Sequence, residues 1–135
     1  MNILVTGGTG LIGQALVPRL LAEGHKLTLF TRRPDFVKSH LPQVDAISSW
    51  QALQACPQAL INLAGEGIAD KRWSANRKQQ LWDSRVTLTE SLVKYFQQQH
   101  WVPETILSGS AVGFYGNTGD QKVDEHSACG QDFSA

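Results

Sequence analysis

The chain has 135 residues, a length that predicts one domain with a sizeable buried core. Apolar residues make up 41% of it and charged residues 18%, as in an ordinary soluble globular protein, and its longest apolar runs are too short to span a bilayer. Twelve basic and twelve acidic side chains cancel without a run of like charge, which argues against nucleic acid or a membrane surface as the main partner.

Short apolar runs alternate with longer amphipathic ones along the chain. Strands are predicted at residues 2–6, 26–31, 44–47, 59–64 and 105–108. Helices are predicted at residues 11–23, 49–54 and 74–99. Gly24 suits the left-handed conformation that ends a helix, and Pro18 predicts a kink in the first helix. Strands that alternate with helices predict an α/β fold with a doubly wound parallel sheet, and right-handed crossovers give it the order 3-2-1-4-5.

A glycine-rich turn joins the first strand to the first helix. Gly7 would permit a tight exit from the strand, Gly10 would let the backbone approach a pyrophosphate, and Gly13 would let the helix pack closely on the strand. The N–H groups that begin the helix would face the phosphates. The position of the turn in a βαβ unit predicts a Rossmann-type dinucleotide site, and a turn without a ligand is the alternative. The predicted contacts are Gly7, Thr9, Gly10, Leu11, Ile12 and Gly13.

Thr31, Arg32 and Arg33 follow the second strand, about twenty residues beyond the glycines. An acidic residue at this place would bind the ribose 2′-OH of NAD, whereas two guanidinium groups can pair with a 2′-phosphate. We therefore predict that the cofactor is NADP(H), with a solvated arginine pair as the alternative. Asp35 could restore NAD binding if the loop turned back, but Pro34 stiffens that path.

Leu63, Ala64 and Gly65 end the fourth strand, at the carboxyl edge where doubly wound sheets bind ligands. Ala64 and Gly65 are small enough for a nucleotide to lie against the backbone. Arg85 falls on the apolar stripe of the long helix and needs a partner there, which could be a bound phosphate, a ribose-linked group or a buried carboxylate. The stripe consists of Leu81, Leu88, Leu92 and Phe96.

The spacing Thr-Gly-x-x-Gly-x-x-Gly at residues 6–13 resembles that of extended and atypical short-chain dehydrogenase/reductases. Residues 62–73, 83–85 and 108–116 narrow the resemblance to their epimerase-like atypical family, which is related to sugar-nucleotide epimerases, over essentially the whole chain. The resemblance implies that Ser110 hydrogen-bonds a substrate oxygen, although a Ser/Gly turn is often only structural. It also implies NADP contacts at Thr31, Arg32, Leu63, Ala64 and Arg85. Gln80 is a further implied contact, although the residue type at this position varies.

Well-characterised superfamily members carry a Tyr-x-x-x-Lys pair on the next helix, where the tyrosine is the acid/base. Tyr95 lies in the long helix, and Tyr115 is followed four residues later by Gly119, so the pair is not found. The epimerase-like family is itself described as lacking the usual catalytic set, and its members are about twice as long. We therefore expect residues 1–135 to be an N-terminal NAD(P)-binding Rossmann domain, incomplete at its C-terminal side and separate from the substrate-binding part.

These features predict an NADP(H)-binding oxidoreductase or epimerase that acts on a small or nucleotide-linked hydroxyl or carbonyl compound. A non-catalytic NADP(H)-binding or sensing protein is the alternative, and a protein-interaction module with an empty glycine turn is a third possibility.

Two further features concern metal and compartment. His126, with Asp124, Glu125 and Cys129, is interpreted as part of a solvated acidic loop, so no metal site is predicted. Cys56 and Cys129 form no disulfide framework, and no signal-peptide pattern opens the chain. We therefore expect a cytoplasmic location.

Overall fold

A computed structural model describes residues 1–133 of the chain. Five parallel strands form one sheet in the order β3-β2-β1-β4-β5, which confirms the predicted order 3-2-1-4-5. The strands are β1 (Asn2–Thr6), β2 (Lys26–Phe30), β3 (Asp45–Ile47), β4 (Ala59–Asn62) and β5 (Thr105–Ser108). Strands β2 and β4 are shorter than predicted, so that Thr31, Leu63 and Ala64 lie just beyond the strand ends.

Four α-helices connect or flank these strands. They are α1 (Leu11–Ala22), α2 (Pro34–His40), α3 (Ala75–Trp82) and α4 (Leu88–Gln99). A π-helical turn at Asp83–Thr87 joins α3 to α4. The single helix predicted over 74–99 is therefore a continuous helical segment that contains one wider turn. The sequence did not predict α2, which begins on Pro34, and the helix predicted at 49–54 is a single 3₁₀ turn at Trp50–Ala52.

Helix α1 runs unbroken through Pro18 and ends where the glycine after it predicts. Gly24 has a φ of 79°, and its N–H donates to the Leu21 carbonyl at 3.0 Å. The His25 N–H donates to the Leu20 carbonyl at 3.1 Å. These two bonds form a Schellman motif, which satisfies carbonyls that the helix end leaves free.

The core lies on both faces of the sheet, because successive side chains of a strand point to opposite sides. Val5 of β1 packs on the face that α1 and α2 cover with Val17 and Val37. Leu4, its neighbour in β1, packs on the other face with Leu92 of α4. Parallel strands buried on both faces contain almost only apolar residues, which explains the continuous apolar runs in the sequence.

Strand β5 lies at one edge of the sheet and pairs with β4. All four of its residues are exposed, with Ile106 at 59% and Leu107 at 57%. Across residues 1–133, no helix has the length and apolar character needed to cross a membrane.

Candidate functional site

A cleft of about 800 Å³ opens at the carboxyl edge of the sheet. Its walls are the turn after β1, the end of β2, the loop after β4, and the part of the helical path that includes Gln80 and Ser84. Parallel α/β sheets bind ligands in a crevice at this edge. Nine of the residues predicted from the sequence line it: Gly7, Thr9, Gly10, Thr31, Arg32, Leu63, Ala64, Gly65 and Gln80.

The turn after β1 is held tightly against the end of β4. Gly7 has a φ of 68°, and a Cβ built on it would lie 2.3 Å from the carbonyl oxygen of Leu63. A Cβ on Gly13 would lie 2.4 Å from the carbonyl group of Gly8, so α1 packs on the turn itself at this point, where the sequence had suggested packing on the strand. Both glycines therefore permit close backbone approaches that a side chain would prevent.

Gly10 is exposed, in contrast to the buried Gly13. Apart from its chain neighbours, the one atom of residues 1–133 that lies within 4 Å of a Cβ built on it is the Gly7 carbonyl oxygen, at 3.2 Å. Gly10 is also the N-cap of α1, where it offers no side-chain hydrogen bond, and the first turn of the helix contains no acidic residue. The N–H groups and the positive end of the helix dipole therefore begin at the cleft wall without a side-chain anion to neutralise them.

Hydrogen bonds between side chains fix the ends of β1 and β4. The buried Thr6 hydroxyl donates to Asn62 Oδ1, and Asn62 Nδ2 donates to Thr89 Oγ1 at 3.1 Å. The Ala64 N–H then donates to Thr6 Oγ1 at 3.2 Å. This chain of bonds joins β1, β4 and α4 at the floor of the cleft, where the turn and the loop after β4 begin.

One carboxylate bridges two arginines across the cleft. Arg32 Nη1 lies 2.8 Å from Glu66 Oε1, and Arg77 Nη1 lies 2.6 Å from Glu66 Oε2. The hydrogen bonds from Arg77 and from Arg32 lower the pKa of the Glu66 carboxyl below its usual range, against the opposing effect of burial. Glu66 is therefore ionised at neutral pH.

The two arginines differ strongly in their surroundings. The Arg77 side chain is only 5% exposed; it also donates to the Gly67 carbonyl at 2.6 Å and to Gln80 Oε1 at 3.2 Å, and its Nε has no partner among the described residues. The Arg32 side chain is 86% exposed. Neither Glu66 nor Arg77 was predicted from the sequence as a site residue, although Arg77 precedes Leu81 by four residues and so extends the same helical stripe.

Arg85 is exposed, so the prediction that it faces the core is wrong. The stripe meets a second, smaller cleft at this turn, and the long side chain reaches across the face of Gly65. Arg85 Nη2 donates to the Glu66 carbonyl oxygen at 2.8 Å. Its protein partners are thus backbone and hydroxyl oxygens; the charged residue that the helix does bury is Arg77.

Four other predicted residues lie away from the main cleft. Leu11 and Ile12 are exposed on the first turn of α1, at 89% and 63%. Arg33 precedes α2 and places its guanidinium 5.0 Å above the ring of Phe36, so that only one of the two adjacent arginines lines the cleft. Ser110 lies beyond the residues that line either cleft among those described.

The second cleft has a volume of about 380 Å³ and lies between the ends of β4 and β5. Arg85, Thr89 and Glu90 line it from the helical path, and Ser108 and Gly109 line it from the end of β5. Ser108 is therefore the hydroxyl-bearing residue of β5 that lines this cleft.

The acidic loop around Asp124 forms a local turn. Asp124 Oδ1 accepts hydrogen bonds from the His126 N–H at 3.0 Å and from Ser127 Oγ at 2.9 Å. Over residues 1–133, no three His, Cys, Asp or Glu side chains are arranged to hold a metal ion.

Residues 3–132 match the NAD dependent epimerase/dehydratase family. The chain belongs to this family. Among family relatives, epimerase family protein MT2273 of Mycobacterium tuberculosis is 36% identical over 136 residues, which cover 98% of this chain and 44% of that protein. Epimerase family protein YfhF of Bacillus subtilis is 35% identical, over 95% of this chain and 43% of that protein. The chain thus spans less than half the length of these epimerase relatives.

Solved structures of epimerase relatives share the fold. The human epimerase family protein SDR39U1 (isoform 2), whose structure was determined with NADPH, superposes with a TM-score of 0.81 at 33% identity, over 98% of this chain and 44% of that one. A nucleoside-diphosphate sugar epimerase from Corynebacterium glutamicum superposes with a TM-score of 0.71 at 30% identity, over 99% of this chain and 28% of that one.

Proposed function

We propose that the chain is the NADP(H)-binding part of an oxidoreductase or epimerase whose substrate is a small or nucleotide-linked hydroxyl or carbonyl compound. The observation that carries this proposal is the main cleft, where the exposed Gly10 and the start of α1 lie at one wall and Arg32 at another. Bound NADP(H) would exchange a hydride with a carbon of the substrate. Family membership and the NADPH in the human relative's structure support the proposal.

The residues of the cleft fit a dinucleotide. The cleft has a volume of about 800 Å³, which is within the usual range for small-molecule sites. A side chain at Gly10 would lie beside the start of α1, 3.2 Å from the Gly7 carbonyl oxygen, where a pyrophosphate would need to approach the backbone. Gly7, Thr9 and Gly10 would then hold the pyrophosphate, while Leu63 and Ala64 would line the adenosine portion of the site.

Arg32 supports the choice of NADP(H) over NAD(H). It follows β2 and lines the cleft, where a guanidinium can pair bidentately with a 2′-phosphate. An NAD-specific site would have an acidic residue at the position of Thr31, which is uncharged. Asp35 lies in the first turn of α2 and is not among the residues that line the cleft.

The test is a fluorescence titration of the chain with NADPH and with NADH. Arg32→Ala should weaken NADPH binding by about tenfold or more, because a charge-assisted bond to the phosphate is lost, and should leave NADH binding nearly unchanged. Arg33→Ala is the matched control, since its guanidinium lies over Phe36 and outside the cleft. Equal affinities of the wild type for both cofactors, or an Arg32→Ala variant that keeps its NADPH affinity, would contradict the assignment.

A non-catalytic NADP(H) sensor is the second candidate, and the tyrosines favour it. Tyr95 packs edge-on against Trp101, and Tyr115 packs edge-on against Phe114. Neither tyrosine is among the described residues that line the two clefts. Oxidation of bound NADPH by a panel of carbonyl compounds, measured with the full-length protein, distinguishes the candidates: turnover supports the enzyme, and tight binding without turnover supports the sensor.

We also infer that residues 1–135 are the N-terminal, cofactor-binding portion of a larger unit. The chain covers 44% of the Mycobacterium tuberculosis relative, and the apolar residues Ile106 and Leu107 of β5 are exposed. A further part of the protein that covers β5 would bury them and would contribute the substrate site beside the second cleft.

A further inference from the structure

We propose that Glu66 is a specificity-determining residue, whose carboxylate competes with the 2′-phosphate of NADP(H) for the guanidinium of Arg32. This inference rests on the proposed function and concerns the strength and selectivity of cofactor binding at the same site. It predicts that the chain binds NADPH less tightly than its arginine would permit.

The geometry places the two anions at one guanidinium. Arg32 follows β2 and Glu66 follows β4, and both line the main cleft. With the Arg32 and Glu66 side chains 2.8 Å apart, the carboxylate already occupies part of the guanidinium edge that a phosphate would use. A phosphate can form its bidentate pair with Arg32 only if this ion pair opens or rearranges.

Glu66 cannot easily follow Arg32, because its other contacts anchor it. Its Oε2 remains with the buried Arg77 at 2.6 Å. Its backbone is held at both ends, since the Glu66 N–H donates to Ser84 Oγ at 3.1 Å and its carbonyl accepts from Arg85 at 2.8 Å. The competing carboxylate therefore stays at the cleft wall when the arginine moves.

Arg32 is the solvent-exposed partner of Glu66, and Arg77 is the buried one. The Arg32 side chain is 86% exposed, whereas that of Arg77 is 5% exposed and has further bonds to Gly67 and Gln80. Ion pairs with a solvent-exposed partner are weak, so a phosphate dianion can replace the carboxylate at Arg32. The exchange also retains the charge balance of the buried side, because Glu66 continues to neutralise Arg77.

Glu66→Gln removes the competing charge and retains an amide oxygen that can accept a hydrogen bond from Arg77. We expect this variant to bind NADPH at least about threefold more tightly, the size expected from loss of an exposed ion pair, with NADH affinity changed by less than about twofold. The comparison uses fluorescence titrations of the wild type, Glu66→Gln, Arg32→Ala and the double variant.

The double variant tests whether the effect passes through Arg32. If Glu66 competes for that guanidinium, Glu66→Gln should give no gain in NADPH affinity when Arg32 is already alanine. An equal gain in both backgrounds would mean simple repulsion of the phosphate and would overturn the proposal. Weaker NADPH binding by Glu66→Gln alone would also overturn it, because Glu66 would then be positioning Arg32 for the phosphate.

A measurement on the wild type keeps the proposal testable if Glu66→Gln does not fold. The side-chain carboxyl ¹³C resonance of Glu66 should shift on titration with NADPH and remain nearly unchanged with NADH, because only the 2′-phosphate draws Arg32 away. No difference between the two titrations overturns the proposal. If the wild type binds neither cofactor, the proposed function itself fails; if it binds NADPH through Arg32 but Glu66→Gln gives no selective gain, only the competition is disproved.

Discussion

Strands β2 and β5 are both short and each contains two large aliphatic residues, but they differ in what surrounds them. Leu29 of β2 is completely buried, whereas Leu107 of β5 is 57% exposed. Both strands pair in regular parallel register, with Val5 opposite Leu29 and Ile61 opposite Leu107. Backbone pairing is thus sufficient to define β5 as a strand, while its burial depends on elements that pack against its faces.

The helices explain the difference. Helices α1 and α2 place Val17 and Val37 on one face of the sheet, and α4 places Leu92 and Phe96 on the other, around the central strands. In the part of the chain described after β5, residues 109–133, the only regular element is a 3₁₀ turn at Val112–Tyr115. The apolar residues of β5 therefore form a surface that further protein is expected to cover.

Truncation of one leucine in each strand is the strongest test of this comparison. Leu29→Ala should lower the free energy of unfolding by about 2–5 kcal/mol, because it removes buried methyl groups and leaves a cavity. Leu107→Ala, the matched control, should change it by about 0.5 kcal/mol or less, since its side chain is mostly in water. Urea unfolding of the 135-residue chain measures both. Similar losses in the two variants would mean that β5 is covered in solution, for example by a second copy of the chain.

The glycine-rich turn resembles the buried central strands in its close packing, although it is a loop. Gly13→Ala would place a methyl group 2.4 Å from the Gly8 carbonyl, and the required backbone shift should cost about 1–3 kcal/mol of stability. Gly10→Ala would place its methyl group 3.2 Å from the Gly7 carbonyl oxygen, a tight contact that a shift of a few tenths of an ångström relieves, so the loss of stability should be smaller, about 1 kcal/mol or less.

Thermal unfolding and cofactor titration together separate the roles of these two glycines. Gly10→Ala should weaken NADPH binding, because its methyl group would lie where a pyrophosphate approaches, and should lower the melting temperature less than Gly13→Ala does. A Gly13→Ala variant as stable as the wild type would show that α1 can move away from the turn. The turn would then be less tightly packed than the central strands, to which we compare it.

Much of the fold could be predicted because the buried strands and the main helices have strong periodic patterns. The apolar run in β4 and the Schellman end of α1 depend mainly on local sequence, and both were predicted to within a few residues. Helix α2 was missed because its seven residues contain only one buried position, Val37, which gives no helical period. The exposure of β5 could not be predicted either, since its sequence resembles that of a buried strand.

The sequence predicted the part of the candidate site that the backbone forms better than the part that long side chains form. Gly7 and Gly10 line the cleft and have no side chain to obstruct it, and this can be read directly from the sequence. Arginines on one helix can reach different places, so the stripe alone could not decide that Arg77 is buried and Arg85 exposed. The bridge through Glu66 joins residues 32, 66 and 77, and only the folded sheet brings them together.

Amide hydrogen exchange gives the finest measure of the difference between β5 and the central strands. Amides of β5 should exchange at least about tenfold faster than those of β1, because an edge strand with exposed faces opens in local fluctuations that leave the core intact. The β1 amides are the internal control, since β1 lies between β2 and β4 and its residues 3–6 are buried.

Equal protection of β1 and β5 in the 135-residue chain would contradict this prediction. It would mean that pairing with β4 alone makes the edge strand as stable as the core. In a longer protein that contains an element covering Ile106 and Leu107, the difference should become smaller, whereas the protection of β1 should change little. A selective gain at β5 would therefore indicate that the added part folds against this edge, beside the second cleft.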